Sequence, residues 1–267
     1  MTKPEAMKAF FEIQAQLQHE GLLEVEQGAV KAALRGDEGE IFFAEISRAD
    51  MTMQEIATGE EQEPFFHAFV VKPEVKALLL LKGTYALQIA SSMRALTAEL
   101  DDMAQIVGLT ARVARTLEPV EMERCLRGRN SCFVKGEGML ITGRSITEAM
   151  TGAILLEKAA MTHLLAKKIG GAKRVPLFSA ALMHFIYQKK YSKINLSAES
   201  AKVEPFAQPQ AELLAQTARE RELREQIISY GRRLQDEGLL QGTWGNLAVR
   251  YDERYMLCTP SGLDYRL

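Results

Sequence analysis

Histidine is scarce in this chain: His19, His67, His163 and His184 are the four in 267 residues. Cysteine is scarcer still. Cys125, Cys132 and Cys258 are odd in number and have no paired metal spacing, so neither a disulfide framework nor a zinc ribbon is expected. No apolar run approaches the length of a membrane span, and the longest, Ala77 to Leu81, suits a buried strand. The N-terminal MTKPEAMKAFFEIQAQL intersperses charges with apolar residues and so lacks the apolar block of a signal peptide. No sign of charge dominates: the formal net charge of −2 argues against nucleic acid or an anionic membrane as a partner. A soluble, cytoplasmic protein with reduced thiols is the expectation. Hydrophobic residues at 47% and charged residues at 25% fit a globular chain, long enough for one large domain or a domain plus a piece.

An internal repeat stands out. Residues 16–30 read QLQHEGLLEVEQGAV and residues 233–247 read RLQDEGLLQGTWGNL, an ungapped offset of 217 positions. Seven of the fifteen pairs are identical, among them Gly21/Gly238, Leu22/Leu239, Leu23/Leu240 and Gly28/Gly245. Chance would give about one. So large an offset indicates a duplicated domain, because solenoid periods are roughly 20–50 residues.

The remaining patterns fit that organisation. Met7 to Glu20 and Glu222 to Glu237 read as amphipathic helices, each stopped by a glycine and followed by a Leu-Leu pair. After the second helix, NLAVR and YMLCT are strand-like runs around the turn Asp252-Glu253-Arg254. In the first copy, strands are expected at Glu40–Ile46 and Val75–Leu81 and as a pair within Cys132–Thr142. Helices are expected from Pro64, at Thr84–Ser92 and at Ser145–Lys168, whose methionine-containing stripe is core or interface packing. Asn195 to Pro209 lacks periodicity, which places a linker at 195–212 between domains at 1–194 and 213–267. Mixed strands and helices in one compact unit make the fold α/β or α+β.

Gly-Thr-Trp-Gly-Asn-Leu-Ala-Val-Arg (242–250), followed by Thr-Pro-Ser-Gly-Leu-Asp-Tyr (259–265), resembles the start of class II aldolase/adducin domains such as the fuculose- and rhamnulose-phosphate aldolases. The match covers about the first quarter of such a domain. Glycines there let backbone N–H groups turn toward an anion, and short hydroxyl and amide side chains add donors without bulk. The resemblance implies phosphate-binding loops at Thr243, Gly245, Asn246, Ser261 and Gly262. It also implies a three-layer sandwich, with a central, mostly antiparallel sheet flanked by helices.

The first copy resembles the family over more of its length. Glu63-Pro-Phe-Phe-His67 looks like the family's Glu-x-x-x-His, which makes Glu63 the relic of its proton-transfer residue. The segment from Pro73 to Ala86 follows the one that carries a His-x-His pair, here Leu80 and Lys82. Arg129 to Gly138 resembles the Asn-His-Gly segment, with Glu137 where its histidine stands; Leu100 to Gly108 also has the family's character. The first copy has Gly28-Ala29 in place of glycine-asparagine and no Thr-Pro-Ser-Gly after it.

Intact members hold zinc through those three histidines. A leucine offers no lone pair and a lysine is protonated near neutrality, so only Glu137 could ligate. No metal is therefore expected in this chain, and Lys82 and Glu137 are expected to form an ion pair in the vacated site. His67 is expected to be a packed helical histidine. Three functions remain in view. The leading one is a structural or regulatory pseudoenzyme domain. The others are part of a zinc-dependent aldehyde-lyase or dehydratase acting on a sugar phosphate, its active copy incomplete here, and a module binding an anionic small molecule. The resemblance further implies a homo-oligomer, or pairing between the two copies.

Overall fold

The computed structural model describes residues 1–24, 28–56, 63–187, 218–237, 239–240 and 245–260. The chain divides into two compact units, Met1–Ser200 and Ala201–Leu267. The expected linker at 195–212 and the residues Gly238, Thr243, Ser261 and Gly262 lie outside the described residues.

In the first unit, helix α1 (Lys3–His19) starts with a capping box between Thr2 and Glu5. It stops where Gly21 takes a φ of +66° and the Leu22 amide donates back to Leu17 O at 2.9 Å. A meander follows, of β1 (Val30–Arg35), β2 (Ile41–Ile46) and β3 (Met51–Ile56). A 3-10 turn at Pro64–Phe66 runs into the short helix α2 (His67–Val71), where the sequence had suggested a single helix from Pro64. Next come β4 (Ala77–Leu81), α3 (Thr84–Ser92), and the short strands β5 (Leu96–Thr97), β6 (Thr110–Ala111) and β7 (Val113–Ala114). The unit continues through α4 (Pro119–Leu126), β8 (Ser131–Val134), β9 (Gly138–Gly143), α5 (Ile146–Lys167) and α6 (Leu177–Ile186).

Seven strands form one sheet in the order β3-β2-β1-β4-β9-β8-β7. Every pairing is antiparallel except that of β7 with β8. Strand β4 lies at the centre, and all five of its residues are buried. Because side chains alternate across a sheet, β4 presents Leu78 and Leu80 to one face and Leu79 and Leu81 to the other. The first face packs on Phe65, Phe66 and Phe69 and on Met122 and Cys125 of α4. Helix α5 covers the other face so closely that a Cβ added to Gly152 would stand 2.8 Å from Ile141 Cγ2. The fold is thus a mixed α/β one built on a large sheet.

Position along the sheet is fixed at two helix starts. Ser145 caps α5 by accepting the Glu148 amide at 3.1 Å. Helix α3 has no local cap; Glu157 of α5 accepts the amides of Tyr85 (2.7 Å) and Ala86 (2.9 Å) instead. That carboxylate ties α3 to α5 directly beyond the end of β4.

In the second unit, helix α7 (Ala218–Asp236) precedes a hairpin of β10 (Ala248–Arg250) and β11 (Met256–Cys258). The turn carries Asp252, whose Oδ1 accepts the amides of Arg254 and Tyr255.

Glu157→Ala is expected to destabilise the first unit by about 1–2 kcal/mol, as loss of a helix cap does, read as a lower denaturation midpoint. Burial raises the Glu157 carboxyl above its ordinary 4.5. The folded chain therefore binds this proton more tightly than the unfolded chain, and the contribution is complete below pH 4.5 and lost as pH rises through the folded value. Native stability measured relative to Glu157→Gln should accordingly fall as pH is raised from 4.5.

Candidate functional site

Strand register assembles one corner of the sheet. Lys31 of β1 faces Glu45 of β2 on one side and Leu80 of β4 on the other; Leu80 faces Leu140, which faces Cys132. Directly opposed residues point to the same face, so Glu45, Lys31, Leu80, Leu140 and Cys132 form a single row. The row runs from polar at the β2 side to fully buried at β8.

Glu63 enters this row from outside the sheet. Phe65 and Phe66, fully buried with ring centroids 4.8 Å apart, anchor the 3-10 turn that follows it, and the Phe66 amide donates to Glu63 O. Pro64 supplies the first position of that turn at no hydrogen-bonding cost. Held this way, Glu63 Oε2 accepts a hydrogen bond from Lys31 Nζ at 2.8 Å, and Glu45 Oε1 lies 3.7 Å from the same nitrogen.

The three positions expected to be vacated metal ligands converge here. Leu80 is 5% exposed and belongs to the apolar cluster with Phe43, Phe65 and Phe66. Lys82 follows at the end of β4, half-buried. Glu137 sits in the β8–β9 turn, which presses on β4: a Cβ on Gly138 would stand 2.4 Å from Leu81 O and 2.9 Å from Lys82 Cα. Glycine is required at that approach, and its φ of +93° requires it again.

The expected Lys82–Glu137 ion pair does not form among the described residues; the cation of this corner is Lys31. Burial by itself would lower the Lys31 pKa. The hydrogen bond to Glu63 and the negative charges of Glu63, Glu45 and Glu137 outweigh it, so the pKa stands above its ordinary 10.5. The reason is register, which puts Lys31 rather than Lys82 among the carboxylates. Sequence reading missed Lys31, because β1 was not recognised as a strand. Its one available signal was a lysine inside the otherwise apolar run Val30 to Leu34.

These residues do not make a zinc donor set. Leucine has no lone pair, lysine nitrogen is protonated at neutral pH, and an ammonium in the same corner opposes a second cation. No group of three or more metal-ligating side chains occurs among the described residues. His67 opens α2, with Nδ1 3.0 Å from Leu117 O.

In the second unit, the described parts of the two motif segments, residues 245–250 and 259–260, lie side by side. The Leu247 amide donates to Thr259 Oγ1 at 3.0 Å, and the Thr259 amide donates back to Leu247 O at 2.9 Å. These bonds bring Gly245 and Asn246 next to Thr259 and Pro260. Gly245 has a φ of +103°, and Gly28, its counterpart in the repeat, has +79°.

Residues 35–164 and 225–267 match the family described as the class II aldolase and adducin N-terminal domain. The chain belongs to that family. Solved structures agree at the level of the fold. An L-fuculose 1-phosphate aldolase superposes with a TM-score of 0.59 at 16% identity, covering 70% of this chain and 98% of its own. The L-fuculose 1-phosphate aldolase of Glaciozyma antarctica gives 0.52 at 18% identity, covering 74% and 94%. That of Thermus thermophilus gives 0.51 at 17%, covering 61% and 95%. Comparison with curated protein sequences gives no match. No helix among the described residues is long and apolar enough to cross a membrane.

Lys31→Met would remove the ammonium that bonds Glu63 at 2.8 Å and lies 3.7 Å from Glu45. The expected loss is on the order of 1 kcal/mol at neutral pH, the upper range for partly exposed pairs. Because the folded ammonium holds its proton above the ordinary value, the native contribution is full below pH 10.5 and is lost only as pH rises through the folded pKa. Denaturation of native and variant chains should show a gap that holds below pH 10.5 and narrows as pH is raised through the folded value.

Proposed function

We propose that the larger unit is a class II aldolase-type domain that has lost the zinc site and serves a structural or regulatory role. The observation that carries this reading is the Lys31 ammonium bonded to Glu63 in the corner where Leu80, Lys82 and Glu137 meet. Zinc in an intact member would act as a Lewis acid on a substrate carbonyl. Here Glu63 Oε2 holds the Lys31 ammonium, which leaves that oxygen engaged rather than free to take a substrate proton. We read Glu63 as a relic of proton transfer and the fold as a three-layer sandwich, supported by helices packed on both sheet faces.

The second unit reads as the opening of a further copy. Support comes from the offset of 217 positions. The Leu239 amide donates to Leu234 O at 2.9 Å, repeating the Leu22 to Leu17 bond of α1, and Gly28 and Gly245 both have positive φ. In this reading Thr243, Gly245, Asn246, Ser261 and Gly262 capture an anionic or phosphorylated small molecule. Part of a zinc-dependent aldehyde-lyase or dehydratase acting on a sugar phosphate is the second reading; the paired motif segments around Leu247 and Thr259 favour it for that copy.

Homo-oligomerisation, or pairing between copies, belongs to the same proposal. Its support is the outer stripe of α6, where Phe178 is 81%, Leu182 47% and Phe185 53% exposed. Free thiols at Cys125, Cys132 and Cys258 support a cytoplasmic setting.

Elemental analysis of the purified chain after dialysis against zinc is expected to give far less than one zinc per chain, with no cleavage of fuculose 1-phosphate. One zinc per chain that disappears in Glu63→Ala with Glu137→Ala would overturn the reading. Light scattering of Phe178→Asp with Phe185→Asp is expected to give a smaller assembly than the native chain.

A further inference from the structure

A second polar cluster of the first unit lies away from this corner. Helix α3 ends at Met93, whose φ of +54° is the left-handed value rare for a side chain larger than glycine, and the chain turns there to present Arg94. The last turns of α5 present His163 and Lys167 beside it. The chain then returns through Arg174, held where the Val175 amide donates to Ala98 O at 2.9 Å. Between these segments lies a cavity of about 560 Å³. That is within the roughly 300–1,000 Å³ of small-molecule sites.

Its charge is one-sided. Arg94, Lys167 and Arg174 line it, and Glu99 is the acidic residue among the lining side chains. Glu99, 9% exposed, is engaged: its two oxygens lie 3.0 and 3.2 Å from His163 Nδ1. None of the three cations has an ion-pair partner among the described residues. A lysine near the end of a helix is explained by the helix dipole alone. Two arginines from two other segments, turned to the same cavity, are not. Like charges converging on a low-dielectric wall repel, and a bound anion removes that repulsion.

The remaining walls define the rest of the ligand. Ile89, Leu96 and Leu164 offer an apolar surface. The Glu99 contact fixes the His163 proton on Nδ1 and leaves Nε2 to accept from a hydroxyl or, when protonated, to donate to an anion. Guanidinium forks match phosphate oxygens in pairs, and a dianion offsets more of the three charges than a carboxylate does. We propose that this cavity binds a small phosphomonoester, its phosphate on Arg94, Lys167 and Arg174 and its carbon body against Leu96 and Leu164.

The test is an imidazole ¹H–¹⁵N NMR titration of the full chain with glycerol 3-phosphate at constant ionic strength, the His163 signal being assigned with His163→Gln. The expected result is a saturable shift of the His163 signal at millimolar ligand or below. The apparent Kd should rise at least tenfold in Arg94→Ser with Arg174→Ser, two exposed positions whose replacement should not lower the ligand-free melting temperature. No saturable shift, an equal shift with acetate, or an unchanged Kd in the double variant would overturn the proposal. The readout is on His163 itself, so anion capture near Gly245 and Asn246 would not produce it, and failure here leaves the proposed loss of zinc untouched.

Discussion

The pairing of β4 with β1 on one side and β9 on the other governs the larger unit. Five buried residues, Ala77 to Leu81, hydrogen-bond to both neighbours and pack on both faces, so neither register can slip by one residue without turning leucines to the wrong layer. That register sets Lys31 opposite Leu80 and brings the Glu137 turn against Lys82. Beyond the end of β4, Glu157 holds the start of α3 and thereby aligns α3 with α5. The corner near Lys31 and the cavity near His163 both inherit their geometry from this central strand and the helices seated on it.

One ammonium holds the carboxylates of this corner. The carboxylates of Glu45, Glu63 and Glu137 all act on one partly buried corner, where their mutual repulsion favours a cation. Lys31 supplies it from the neighbouring strand, where its hydrogen bond to Glu63 and the charges of Glu63, Glu45 and Glu137 together outweigh its own desolvation.

Much of the secondary structure was legible. Thr84–Ser92 and the serine-capped α5 were read almost to the residue, because caps and apolar spacing are local signals. Strand β1 was not, since Val-Lys-Ala-Ala-Leu-Arg contains two alanines and no alternation; it is a strand because both its edges are paired. Strand β3, Met-Thr-Met-Gln-Glu-Ile, is an edge strand with little burial to mark it. Helices α4 and α6 were missed too, α6 because its apolar residues face outward as well as inward.

By itself the sequence determined which residue types stand at positions 80, 82 and 137, the repeat offset by 217 positions, and the family to which the motifs point. Those are properties of residue identity and order, and they survive without coordinates. Tertiary structure alone decided which charges share one field. Lys31 and Glu63 are 32 positions apart, and His163 and Glu99 are 64 apart. Strand pairing and helix packing, rather than neighbourhood along the chain, bring such groups within hydrogen-bonding distance. The cation of the Glu63 carboxylate is accordingly Lys31, which the sequence did not single out, because electrostatic energy depends on separation in space and on burial, neither of which a linear sequence records.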